Sequence, residues 1–113
     1  MSGITTHVLD TSRGRPAIGV PVLLEIREGE GWGEIGHALT DGDGRVRDLL
    51  PAGSALIPGI YRLTFGIETY FRAQEVEGFY PEATISFHVR DGNQHHHVPL
   101  LLSPFGYSTY RGS

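Results

Sequence analysis

Apolar and polar residues alternate with a period of two along much of the chain. Val20, Val22, Leu24 and Ile26 alternate with Pro21, Leu23, Glu25 and Arg27. Tyr61, Leu63 and Phe65 alternate with Ile60, Arg62 and Thr64, and Ala83, Ile85, Phe87 and Val89 alternate with Thr84, Ser86, His88 and Arg90. Successive side chains of a strand point to opposite faces, so this period marks half-buried β-strands. Pro58-Gly59 opens the second of these strands and Asp91-Gly92-Asn93 closes the third, both with residues suited to turns. Ile4 to Asp10, Trp32 to Thr40, His95 to Ser103 and Gly106 to Arg111 read as four more, and a short strand is expected after Gly44. A helical period occurs once, where Ile67, Tyr70, Phe71 and Gln74 fall at i, i+3, i+4 and i+7. The expected fold is all-β: a two-sheet antiparallel sandwich of seven to eight strands with one short helix, forming a single domain over residues 1–113.

The strand His95 to Ser103 departs from the half-buried pattern. One face carries His96, Val98, Leu100 and Leu102, and the other His95, His97, Pro99 and Leu101. A sandwich strand turns one face to its own core, so a second apolar face implies cover from outside the chain and hence an oligomer. The first strand agrees, because Val8 can point to the core while His7 and Leu9 share the opposite face.

Composition narrows the function. The 16 Gly and 7 Pro suit short strands and tight turns rather than a helical bundle. With no Cys there is no disulfide framework, thiolate metal site or Cys nucleophile. All nine cations are Arg and the net charge is -4, so no basic excess points to nucleic acid or an anionic membrane. Ser2-Gly3-Ile4-Thr5-Thr6 offers neither the charged nor the apolar region of a secretory signal, and the expectation is a soluble, cytoplasmic domain.

Three features could carry chemistry. His is the side chain most readily tuned to act near neutral pH. In the triplet His95-His96-His97, however, the middle residue faces away from its neighbours, so a zinc site would need a further ligand such as His7. Packing or surface histidines are the plain alternative, and His37 and His88 stand alone. Asp41-Gly42-Asp43-Gly44-Arg45 lacks the later acidic positions of a calcium loop and reads as a turn that delivers Arg45 to a strand start. A planar guanidinium there would suit an oxyanion or a cyclic imide-like substrate. In the tail, Ser108, Tyr110 and Gly112 alternate with Tyr107, Thr109 and Arg111, which implies a docked terminal strand covered on both sides.

His7-Val8-Leu9-Asp10, Thr40 through Arg45, Phe79-Tyr80-Pro81-Glu82, His97 through Pro104 and the closing Tyr110-Arg111-Gly112-Ser113 together resemble the 5-hydroxyisourate hydrolases. These are the enzyme branch of the transthyretin-like family, and the likeness runs from Ile4 to Ser113. It implies a homotetramer, a dimer of dimers, with sites in a channel between dimers. It implies catalytic His7, Arg45, His97 and Ser113, the last through its hydroxyl or carboxylate. Ser108, Tyr110, Arg111 and Gly112 would join His7 and Arg45 in binding substrate, with no metal and no cofactor. The implied reaction opens 5-hydroxyisourate by His-assisted attack of water on a ring amide carbonyl, giving 2-oxo-4-hydroxy-4-carboxy-5-ureidoimidazoline in urate degradation. The alternative is a transthyretin-like carrier that binds a small aromatic ligand in the same channel. One position departs from the pattern: His96 stands where many members carry Tyr, on the face turned to the core.

Overall fold

Two sheets pack face to face around one apolar core. The computed structural model describes residues 3–113; Met1 and Ser2, which the single-domain reading includes, lie outside the described residues. The first sheet is built on β1 (Gly3–Asp10) and β8 (His95–Ser103), flanked by β9 (Gly106–Thr109) and by the two-residue strands β2 (Arg15–Pro16) and β5 (Arg45–Val46). The second has the order β4 (Gly31–Leu39), β3 (Pro21–Glu28), β6 (Gly59–Phe65), β7 (Ala83–Val89). Helix α1 (Ile67–Ala73) follows β6 and buries Ile67, Tyr70 and Phe71, three of the four residues of the helical pattern. The expected strands all form, and β2 is an addition that periodicity could not register because two residues have no period.

One expectation needs correction. The sandwich is not antiparallel throughout: β1 and β8 run parallel, in register from Gly3 opposite His95 to Asp10 opposite Leu102. Alternation reveals which residues share a face but not the direction of a partner far away in sequence, and no hairpin joins these two strands.

The core is the inward set of the alternating strands: Ile4 and Val8 from β1, Leu24 from β3, Leu63 and Phe65 from β6, and Leu100 and Leu102 from β8, all fully buried. Truncating any of these leucines to Ala is worth about 2–5 kcal/mol, because the transfer energy is lost and a cavity is left. Buried polar groups find partners. The hydroxyl of Thr6 donates to the Val98 carbonyl at 2.6 Å, a side-chain link between β1 and β8. Asp10 accepts from the Ser12 hydroxyl at 2.6 Å and from the Tyr70 hydroxyl at 2.7 Å, tying α1 to the end of β1. Burial pushes the Asp10 carboxyl up, but hydrogen bonds from Ser12, Tyr70 and the Arg13 backbone outweigh it and hold the group below its ordinary pKa. His96 is an exception, since its Nδ1 is buried without a partner among the described residues. Burial also holds this imidazole below its usual pKa, reinforced by Arg111.

Candidate active site

The outer face of the first sheet carries three rows of residues, each set by strand register. His7 on β1 lies opposite both Arg45 on β5 and Pro99 on β8. One row away, Thr5 lies opposite His97, and His97 in turn bridges to Gly112 of the tail. One row the other way, Leu9 lies opposite Leu101, which faces Ser108 on β9. Adjacent strands are about 4.8 Å apart, so side chains in one row touch or nearly touch.

Arg45 reaches this face through a turn that the local sequence dictates. The Asp41 carboxylate accepts from the backbone N–H groups of Asp43 at 2.8 Å and Arg45 at 3.0 Å, and the Gly44 N–H closes the turn on the Asp41 carbonyl at 2.9 Å. These backbone donors hold the Asp41 pKa below the usual carboxylate range. Gly44 sits at φ +75, and a Cβ there would lie 2.5 Å from the Val8 carbonyl oxygen, so only glycine fits. Its own carbonyl accepts from the Val8 N–H at 2.7 Å, which fastens the turn to β1 beside His7.

An open cleft of about 260 Å³ lies on this face, lined by Thr5, Thr6, Arg45, Val46, Arg47, His95, His97 and Ser113. Arg47 is held by Asp41 at 3.7 Å and Asp43 at 3.3 Å. Among the described residues Arg45 forms no ion pair, so its guanidinium is left for a ligand. The His7 imidazole is held below its ordinary pKa, first by burial and then by Arg45, against an upward pull from the Asp43 backbone and the Asp41 and Asp43 carboxylates. His97 is lowered in the same way, by burial and then by Arg45, His7 and His95. Both rings are therefore neutral near pH 7 and able to accept a proton.

The tail is fixed to His97. The Gly112 N–H donates to the His97 carbonyl at 2.8 Å, and a Cβ on Gly112 would come within 2.6 Å of His97 Cδ2 and 3.3 Å of Pro99 Cγ. The tail thus covers part of the second apolar face of β8, and Pro99 is buried within the chain.

Of the residues singled out from sequence, the cleft brings together Arg45, His97 and Ser113, with His7 beside it in register with Arg45. Gly112 packs on His97 rather than lining the cleft. Ser108 lies further along the same face, opposite Leu101. Tyr110 and Arg111 line a different hollow, of about 230 Å³, with His96, Val98, Ile85 and Phe87 between the edges of the two sheets. Arg111 also donates to Gln94 Oε1 at 3.2 Å. Five cleft residues were missed or set aside: Thr5, Thr6, Val46, Arg47 and His95. The signal for two of them was present, since Thr5 shares a face with His7, and His95 shares one with His97. Among the described residues no three of His, Asp and Glu converge as a metal ion would require.

The sequence model of the HIUase/Transthyretin family matches residues 4–112. The chain belongs to this family. The matched span of the HIUase/Transthyretin family takes in His7, Arg45, His97 and Gly112. Among its members, a probable 5-hydroxyisourate hydrolase of Caenorhabditis elegans is 50% identical over 112 residues, covering 99% of this chain and 82% of that protein. The structure of Klebsiella pneumoniae 5-hydroxyisourate hydrolase superposes with a TM-score of 0.85 at 37% identity, covering 99% of this chain and 100% of that one. Sea bream transthyretin in complex with thyroxine superposes with a TM-score of 0.90 at 28% identity, over 97% and 94% of the two chains. The fold is therefore common to hydrolase and hormone-binding relatives, and the site must decide between them.

Proposed function

We propose that the protein is a hydroxyisourate hydrolase, converting 5-hydroxyisourate to 2-oxo-4-hydroxy-4-carboxy-5-ureidoimidazoline in urate degradation. The observation that carries this reading is a single polar cleft uniting His97, Ser113 and Arg45, which forms no ion pair among the described residues, with His7 opposite Arg45. A carrier of a small aromatic ligand would want an apolar lining, whereas two guanidinium groups and two imidazoles line this one.

The reaction adds water to a ring carbonyl and opens the six-membered ring at its N1–C6 amide bond. One of the neutral imidazoles, His7 or His97, takes a proton from the attacking water, and the other serves the leaving nitrogen. Charge then develops on the carbonyl oxygen. The Arg45 guanidinium meets it with a planar pair of donors, a kind of contact worth about 3–4 kcal/mol in the transition state. Ser113 and the tail position the planar ring.

Residues 1–113 would act as one domain within a cytoplasmic homotetramer, a dimer of dimers. Support for association comes from Ile18 and Phe105, exposed by 59% and 67%, and from the half-exposed Leu9 and Leu101 on the same outer face of the sheet as His7. A second copy placed there would roof an otherwise open site. The direct test generates hydroxyisourate by oxidising urate in a cuvette and follows its ultraviolet decay with and without the protein. Acceleration supports the proposal; decay at the spontaneous rate overturns it. Sedimentation measures the assembly, and a monomer at micromolar concentration would overturn the tetramer.

A further inference from the structure

The geometry points to Thr5 as a positioning residue that couples the protonation of His95 to that of His97 and passes a proton between them. This rests on the hydrolase reading only for its consequence in turnover. Thr5 Oγ1 lies 2.8 Å from His97 Nδ1 and 2.9 Å from His95 Nε2, so one hydroxyl bridges two imidazoles.

A hydroxyl has one proton to give and lone pairs to accept with. Between two neutral rings it must therefore donate to one and accept from the other. If Thr5 donates to His95 Nε2, His95 carries its proton on Nδ1, and His97 must donate to Thr5 from its own Nδ1. If Thr5 donates to His97 Nδ1, both rings instead carry their protons on Nε2. The two tautomers are locked together, both Nδ1–H or both Nε2–H.

The consequence falls on His97 Nε2. The Nδ1 edge of this ring faces Thr5 and its Cδ2 edge packs on the Gly112 backbone, so Nε2 is the nitrogen left for the cleft. In the first state Nε2 offers a lone pair and is a base; in the second it offers a proton and is an acid. The exchange is balanced. As Nε2 takes a proton from water, the Nδ1 proton moves to Thr5 Oγ1 and the Thr5 proton moves to His95 Nε2. His97 ends neutral in its acid form, and the positive charge sits on His95, which is exposed and can release its Nδ1 proton to solvent. Of the other charged or titratable groups at the cleft, His7 on β1, Arg45 on β5 and Arg47 just after it favour moving that charge outward, against the terminal carboxylate of Ser113. Such a path lets one imidazole present first a lone pair and then a proton to the substrate.

The test pairs kinetics with imidazole ¹⁵N NMR on the wild type, Thr5→Val and Thr5→Ser, all checked for native circular dichroism. In the wild type above pH 7, His95 and His97 should show the same tautomer. In Thr5→Val the match should be lost and kcat should fall at least about tenfold, with KM changed less than about twofold. Thr5→Ser should restore the match and bring kcat to within about threefold of wild type. Opposite tautomers in the wild type, or full kcat in Thr5→Val, would overturn the coupling. A wild type that shows matched tautomers but no hydrolysis would overturn the functional reading and leave the coupling intact.

Discussion

Replacing Gly112 with Ala tests whether the tail acts by shaping His97. The added Cβ would sit 2.6 Å from His97 Cδ2 and 3.3 Å from both His97 Cγ and Pro99 Cγ. Carbon atoms in contact settle at about 3.5–4.0 Å, so the tail or the ring must give way by about 1 Å. If the tail retreats, the 2.8 Å bond from the Gly112 N–H to the His97 carbonyl is lost. If the ring turns, it leaves the Thr5 hydroxyl at 2.8 Å. Either way a reacting group is misplaced by about 1 Å, a displacement that can lower turnover about 100-fold, or about 2.7 kcal/mol of activation free energy. Global stability should barely respond, because the tail is largely exposed and surface changes stay within about 0.5 kcal/mol. The hydroxyisourate decay assay reads the first quantity and thermal melting the second. Turnover within twofold of wild type in a normally folded Gly112→Ala protein would refute the close packing as a determinant of the site.

Arg45→Ala should lower kcat about 100- to 1,000-fold, and Arg45→Lys should recover only part of it, since an ammonium cannot present a planar fork; equal activity of the Lys variant and wild type would count against the oxyanion role. Because His7 and His97 lie below the ordinary 6.5, the acid limb of kcat should fall below that pH, and a limb centred above it would contradict a neutral imidazole base. His7, His96 and His97 all bind protons more readily unfolded, so stability is fully present above about pH 6.5 and is lost as pH falls towards the folded-state pKa values, which melting curves across pH would show. Tyr70→Phe removes a buried donor from the Asp10 carboxylate and should cost about 1.5–3 kcal/mol in urea unfolding at pH 7, shrinking as pH falls through the depressed Asp10 pKa; a cost that does not change with pH would refute the charged bond.

Most of the strands were legible because each faces a core on one side and so repeats every two residues. The same alternation put His7 and Thr5 on one face and His95 and His97 on another. What it could not convey is that those two faces are one, because the parallel pairing of β1 with β8 leaves no trace in either strand. Thr5 therefore stayed unnoticed until register placed it opposite His97. Arg47 was hidden by its lack of context, being one of nine arginines without a motif of its own. The resemblance grouped Tyr110 and Arg111 with the site, yet within this chain they border the hollow beside His96. His96 lines that hollow too, and its buried Nδ1, without a partner among the described residues, is a feature that no periodicity marks.

The parallel join of β1 to β8 also bears on how the protein comes to be active. Thr5 lies 92 residues from His97 and 90 from His95, so the side-chain bonds that join β1 to β8 in the cleft close long loops. Closing such loops is slow relative to forming hairpins, so contacts like these arrive late on the folding path. The hairpin β3–β4 and the β6–α1–β7 unit can assemble, and strand spectroscopic signals recover, before any cleft exists. Regain of turnover during refolding would then lag the return of β-sheet signal, making activity a reporter of the final long-range step.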